Sequence, residues 1–406
     1  MRFNTKLLHG NKMGDANTGA TLTPVYQSSA FYQPSAEQHE KLFHNKATGF
    51  SYTRINNPTI FAFEERMTTL EGGLASVACA SGMAAITNAL LNIVTCGQEI
   101  VASTSLYGGS IDVFHDFEAF GIKTVFVDFS DVNAVEAAIN ENTRVIFAET
   151  IGNPKLDVVD IEALAELAHR HELPLVMDNT VATAYLVKPI EKGADIVVNS
   201  TSKYINGNSN AISGVITESG RFKWTKEKYP GVAEYARFGK MAYTAKLRNG
   251  LFRNTGACMA PQTAFYNLIG METLGLRMER ACSNAKALAE FLNTYPDITV
   301  NYPGLACSPW HEVADKVLAN GYGAILTIRV GSKERAFSII NNLSIPKIVS
   351  NIGDTKTLII HPESTLNAHS TEKEKEDAGV FDDLIRISVG IEDIEDLIED
   401  FKAALA

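Results

Sequence analysis

Ala194–Tyr204 reads ADIVVNSTSKY, and the character of the chain changes halfway through it. The apolar run Ile196-Val197-Val198 gives way at once to Asn199-Ser200-Thr201-Ser202-Lys203. A parallel strand buried on both faces is a continuous apolar run, and open α/β sheets collect ligands at the carboxyl ends of such strands. About 20 residues upstream, Leu173–Thr180 (LPLVMDNT) has the same form and ends in Asp178-Asn179-Thr180. The two phrases predict neighbouring strands that deliver an acid and an amine to one rim. Alone, Lys203 reads as a solvated turn lysine. With Asp178 beside it, the pair suits pyridoxal phosphate. The amine forms a Schiff base, and the carboxylate keeps the pyridine nitrogen protonated so that the ring accepts electrons.

Working outward, residues 71 to 220 alternate strand and helix. Strands are expected at Ser76–Ala80, Glu99–Ser103, Thr124–Asp128 and Val145–Thr150, with helices at Ala84–Val94, Ser110–Phe120, Val132–Ile139 and Ile161–His171. Repeated βα units mean a mostly parallel sheet with helices on both faces, and chemistry at the strand-to-helix junctions. Three further junctions carry suitable residues. Ser81-Gly82-Met83 opens a helix whose free N–H groups suit a phosphate. Ser105-Leu106-Tyr107-Gly108-Gly109 offers an aromatic ring for stacking, or for plain core packing. Glu149-Thr150-Ile151-Gly152-Asn153-Pro154 ends a strand with an Asn able to bond a ring oxygen or a carboxylate. Their convergence on one rim is what gives them weight.

The flanks differ in texture. Residues 1–60 are rich in Gly, Thr, Asn and Pro, build no core of their own, and read as an arm wrapping a neighbouring subunit. Within it, Tyr52-Thr53-Arg54-Ile55-Asn56-Asn57-Pro58-Thr59 is either a capped helix start or an Arg and Tyr donated across an interface. Residues 61–260 form the expected large domain, and 221–260 a loop-and-helix connection out of its sheet. From Pro261 to residue 406 long helices dominate, with strands at Ala324–Val330 and Leu384–Val389, predicting a smaller C-terminal α/β domain. Arg386 sits mid-strand there, either at an edge facing water or in a cleft as a bidentate clamp for a carboxylate. Glu372–Asp377 (EKEKED) reads as a solvated helix or loop.

Bulk properties narrow the class. The 406 residues are 45% hydrophobic and 20% charged, as in ordinary soluble enzymes. A formal charge of −11 argues against nucleic acid or an anionic membrane as partner. The five cysteines are scattered, without metal-ligand spacing, so no metal site is expected and free thiols in a reducing cytoplasm are. The start, MRFNTKLLHGNKMGD, has no signal-peptide core.

The phrases YTRINNPT, LEGG, SGM, LYGG, ETIGNP, DNT, SKY and LIRISVGIED together resemble the γ-subfamily of pyridoxal-phosphate enzymes of cysteine and methionine metabolism. The likeness runs from Thr5-Lys6-Leu7-Leu8-His9 to Arg386–Asp393. It implies a fold type I architecture: a large domain with a mostly parallel seven-stranded sheet, plus the smaller C-terminal domain. It also implies pyridoxal 5'-phosphate held covalently by Lys203, with Asp178 on the ring nitrogen and Tyr107 stacked on the ring. Ser81, Gly82, Met83, Ser200 and Ser202 would bind the phosphate, joined by Tyr52 and Arg54 from another subunit of a tetramer built as a dimer of dimers. Arg386, Asn153 and Asn351 would hold the substrate carboxylate. Phe50–Thr59, Asn351-Ile352-Gly353-Asp354 and His361-Pro362 point within the family to γ-replacement on O-acetyl-L-homoserine by sulfide or a small thiol such as methanethiol. The alternatives are a methionine or cystathionine γ-lyase and a cystathionine γ-synthase. Gly109 stands where methionine γ-lyases of the family carry Cys. Other departures are Asn206-Gly207-Asn208-Ser209-Asn210, where Gly and His are usual, and Ser364-Thr365-Leu366-Asn367 in place of S-T-T-H.

Overall fold

Short apolar runs at regular spacing assemble into one central sheet. In the computed structural model, which describes residues 1–10, 14–15 and 18–406, its strands are β1 (Ala75–Cys79), β2 (Glu99–Ser103), β3 (Lys123–Val127), β4 (Thr143–Glu149), β5 (Leu175–Asp178), β6 (Ile196–Asn199) and β7 (Gly214–Glu218). Their spatial order is β1-β7-β6-β5-β4-β2-β3. Strands β2 to β6 run parallel, while β7 is antiparallel to both β1 and β6. Residues 11–13 and 16–17 of the expected arm lie outside the described residues.

Both faces of the sheet are covered, which explains the unbroken apolar runs. Ile146, Ala148, Leu175, Met177 and Val197 pack into one core, with the helices Pro58–Glu71 and Ile161–Arg170. Their alternate neighbours Val145, Phe147, Val176, Ile196 and Val198 pack into another, with the helices Gly82–Leu91, Gly108–Asp116 and Ala242–Asn249. Side chains alternate along a strand, so each run feeds two cores at once.

Strand β7 had no counterpart in the sequence reading. Only Val215 and Ile216 of it join the apolar cores. Its other half is buried and polar: the Thr217 hydroxyl pairs with Ser76, and the Glu218 carboxylate accepts from the Thr244 main chain and hydroxyl. Those partners come from distant segments, so no local pattern announces the strand.

A second sheet, ordered β10-β11-β12-β9-β8, belongs to the C-terminal part. Its strands are β8 (Thr299–Asn301), β9 (Ile325–Arg329), β10 (Lys347–Ile348), β11 (Leu358–Ile360) and β12 (Leu384–Ser388). The helices Leu274–Leu292, Lys333–Asn342 and Ile394–Ala404 cover it through a third core. Strand β12 is central, flanked by β11 and β9, so Arg386 is no edge residue: it is 2% exposed. The EKEKED segment is a solvated helix started by a Thr371–Glu374 capping box, with no buried residue. Among the described residues no helix is long and apolar enough to cross a membrane.

Candidate active site

The carboxyl ends of β4, β5 and β6 open into one pocket, lined also by Arg386 of the second sheet and by the C-terminal segments at residues 350–352 and at Leu366. Ser81, Gly82, Met83, Tyr107, Glu149, Asn153, Asp178, Ser200, Ser202, Lys203, Asn351 and Arg386 line it together. Of the expected site residues, only Tyr52 and Arg54 lie outside it. Arg54 instead donates to the Arg253 carbonyl at 2.7 Å and packs over the Tyr52 ring, 5.4 Å from its centroid.

Lys203 lies just after β6, and its amine donates to Asn351 Oδ1 at 2.5 Å. Burial, and then the charge of Arg386, lower its pKa to about 8. Asp178 is the last residue of β5; burial raises it to about 6, against a hydrogen bond donated by the Thr180 N–H at 2.9 Å. Among the described residues no ion pair balances the Asp178 carboxyl.

The cradle at Ser81 owes its shape to a close approach. A Cβ on Gly82 would meet Ser200 Cβ at 2.6 Å, so glycine is what lets the two loops touch. Ser81 caps the helix Gly82–Leu91 by accepting from the Ala84 N–H at 3.0 Å, leaving the first-turn N–H groups of Gly82 and Met83 free for an anion. Thr180 supports the opposite wall by accepting from the Ser200 N–H at 2.8 Å. The Ser202 hydroxyl is engaged by the Ser213 main chain, donating to its carbonyl and accepting from its N–H.

Arg386 enters from β12, donating to Asn153 Oδ1 at 3.2 Å and to the Asn351 carbonyl at 3.0 Å. Its Nε is buried without a partner, and burial lowers the guanidinium to about 10. Asn351 thus serves two groups: its side chain holds Lys203 and its main chain holds Arg386. The Asn351 amide is itself oriented, because its Nδ2 donates to Ser209 Oγ at 2.9 Å and Ser209 donates to Asp354. Two of the departures from the family phrases therefore touch the site, Ser209 through this chain of bonds and Leu366 as lining. Asn206 turns away from it, into a polar network with Asn210 and Asn267.

Sequence reasoning gave no role to Thr180, Ser209, Asp354 or Glu149. Only Glu149 carried a usable signal, since it ends β4 just as Asp178 ends β5. Behind the site Glu71 is fully buried, accepts from Asn199 Nδ2 at 2.9 Å, and is raised to about 7 by that burial.

The sequence profile for Cys/Met metabolism PLP-dependent enzymes matches residues 4–406. The chain is 40% identical to an O-acetyl-L-homoserine sulfhydrylase of Corynebacterium glutamicum, over 100% of this chain and 97% of that protein. It is 41% identical to an L-methionine gamma-lyase of Fusobacterium nucleatum, over 95% and 94%. A solved O-acetylhomoserine (thiol)-lyase of Campylobacter jejuni, containing a pyridoxyl-lysine monophosphate, superposes with a TM-score of 0.96 at 33% identity and covers 100% of each chain.

Proposed function

The chain belongs to the Cys/Met metabolism family of pyridoxal-phosphate-dependent enzymes, and from that premise we propose that it catalyses a γ-replacement. O-acetyl-L-homoserine and sulfide (or methanethiol) would give L-homocysteine (or L-methionine) and acetate. The observation that carries this reading is the convergence of Lys203, Asp178 and Arg386 on one pocket from two different sheets.

The residues fit the cofactor. Asp178 is a buried carboxyl that makes no ion pair among the described residues, and a protonated ring nitrogen would supply one. The Ser81–Met83 cradle offers main-chain donors to a phosphate, and Tyr107 has an open ring, 39% exposed, on the pocket wall. Lys203, its amine made less basic by burial, would carry the covalent link. When bound, pyridoxal phosphate supplies the electron sink that acidifies the substrate hydrogens at Cα and then Cβ.

The remaining work falls to the chain. Arg386 would take the substrate carboxylate, and support comes from its unpaired Nε and its fixed contacts to Asn153 and the Asn351 carbonyl. When free, the Lys203 amine, its pKa lowered to about 8, would be a base suited to moving protons at Cα and Cβ in turn. Asn351 would hold that amine in reach between transfers. At Cγ the bond to the acetate oxygen breaks and a bond to sulfur forms, with the thiol proton leaving in balance with acetate.

Gly109 favours transfer over methionine lysis. A Cβ there would come within 2.6 Å of Tyr107 Cε1, so the Cys of methionine γ-lyases would displace the ring from its present position. The division into an arm (1–60), a cofactor-binding domain (61–260) and a C-terminal domain (261–406) belongs to the same reading. Tyr52 and Arg54 would complete the phosphate cradle of a neighbouring copy in a tetramer, supported by the 42% exposure of Tyr52 and the distance of both from their own pocket. The cytoplasm is the compartment we assign, on the reading of its scattered cysteines.

Product analysis tests the reading. Purified enzyme given O-acetyl-L-homoserine and sulfide should release homocysteine and acetate, and methionine alone should give no 2-oxobutyrate. 2-Oxobutyrate, ammonia and methanethiol from methionine alone would make it a lyase and remove the support drawn from Gly109.

A further inference from the structure

Glu149 and Asp178 are register partners on adjacent parallel strands, each the last residue of its own. Partners in register point to the same face, and neighbouring strands lie about 4.8 Å apart, so the two carboxyls share one rim. Both are buried, Glu149 at 6% and Asp178 at 8% exposure. Each accepts a main-chain hydrogen bond: Asp178 from Thr180, and Glu149 from the Tyr107 N–H at 2.6 Å.

We propose that Glu149 is a positioning residue: a neutral carboxylic acid that anchors the Tyr107 main chain and leaves Asp178 as the single anion beside the cofactor ring nitrogen. The proposal rests on the reading of this pocket as a pyridoxal-phosphate site, but not on which amino acid it takes.

Among the described residues, the charges that act on the Glu149 carboxyl are of its own sign. Asp178 faces it from β5, and Asp157 from the segment after β4, where Asp157 accepts from the Ser105 hydroxyl. The two cations of the pocket are directed elsewhere, Lys203 to Asn351 and Arg386 to Asn153 and the Asn351 carbonyl. Among the described residues no ion pair involves either carboxyl of the Glu149–Asp178 pair. Two anions so close in a dry rim oppose each other's ionisation. Burial, and then the charge of Asp178, pushes the Glu149 carboxyl far above the usual carboxylate range. Asp178 is the member that a cationic ring nitrogen would meet, and so the member that keeps its charge.

The anchoring role comes from the end of the helix. Tyr107 immediately precedes the helix Gly108–Asp116, and its main-chain N–H donates to the Glu149 carboxyl. The ring itself lies against Gly109, free of any Cβ. Glu149 below and Gly109 beside it thus define where the stacking ring sits.

Two variants separate the proton from the anchor. Glu149→Gln is the isostere of the neutral acid and keeps an acceptor for the Tyr107 N–H. In the purified holoenzyme, the visible band of the Lys203-bound cofactor should titrate in Glu149→Gln within about 0.3 pH units of the parent. Loss of a buried negative charge would instead move that midpoint by about 1 unit or more. Glu149→Ala should keep its cofactor content, lose at least half of the visible circular dichroism, and lower kcat about 10-fold with KM changed less than about 2-fold. Gln should restore the dichroism. A shifted midpoint or lost cofactor in Glu149→Gln overturns the neutral acid. Parent-like dichroism and kcat in Glu149→Ala overturn the anchor. Should Glu149→Ala fail to fold, the titration and dichroism of Glu149→Gln still decide. The spectral readouts hold whether or not O-acetyl-L-homoserine proves to be the substrate, so failure of that reading is separately visible.

Discussion

The rim of the seven-stranded sheet and the centre of the five-stranded sheet both supply charge to the same pocket, by opposite means. At the rim, Asp178 ends β5 and Lys203 lies in the loop just after β6, and both side chains line the pocket. In the second sheet Arg386 stays inside β12, with Ile385 and Ile387 packed into the core on the opposite face. Lys203 is carried by a loop, while Asp178 is still paired with both β4 and β6. A mid-strand charge is held by two neighbouring strands and keeps its position whatever the loops do. On the proposed function, proton transfer would fall to Lys203 in the first region and carboxylate recognition to Arg386 in the second.

Four substitutions would break or sharpen that contrast. The largest effect is expected for Lys203→Ala, which should abolish the visible cofactor band and lower turnover about 10²–10⁴-fold. A surviving band in the absorption spectrum would mean that the rim lysine is not the anchor. Arg386→Ala should lower kcat/KM for the amino acid about 100-fold, roughly 3 kcal/mol, at unchanged cofactor content. Cofactor lost in dialysed protein would show that the central strand serves the rim rather than the substrate. Gly109→Cys should displace the Tyr107 ring and cut homocysteine formation about 10-fold, since misplacement by roughly 1 Å costs up to about 100-fold. An unchanged rate would deny the ring its part.

The smallest effect concerns stability. Burial raises Glu71 to about 7, above the 4.5 of an ordinary glutamate. Between those values the folded state binds more protons than the unfolded one, so this group's contribution to stability falls as pH rises from about 4.5 to 7. Glu71→Gln, which keeps an acceptor for Asn199, should remove that slope. Its melting temperature should lose about 1–3 °C less than the parent between pH 5 and 8, measured by calorimetry. A parallel loss in both proteins would mean that Glu71 is ionised throughout.

Some of the site was legible without coordinates because strand ends write themselves into local order. An apolar run stopped by Asp178-Asn179 or Asn199-Ser200 specifies both the burial of the run and the emergence of the next residues at the rim. Tyr107 and Ser81 were legible for a related reason, since each stands where glycines and a helix start coincide. Thr180, Ser209 and Asp354 were not, because each acts through a partner far along the chain: Ser200, Asn351 and Ser209 respectively.

The sequence by itself determined the alternation of strands and helices, the two-faced burial of the central sheet, and the delivery of Asp178 and Lys203 to one rim. The first two depend on contacts between residues a few positions apart, where hydrophobic periodicity is a direct record of burial, and the third on two matching strand ends that close the βα series. The tertiary structure alone decided that β7 runs antiparallel between β1 and β6, that Arg386 faces a pocket instead of water, and that Glu149 shares its rim with Asp178. The burial of a polar or charged side chain is a property of the groups that lie across from it. Those groups are chosen by strand order and register, which no single stretch of this chain contains.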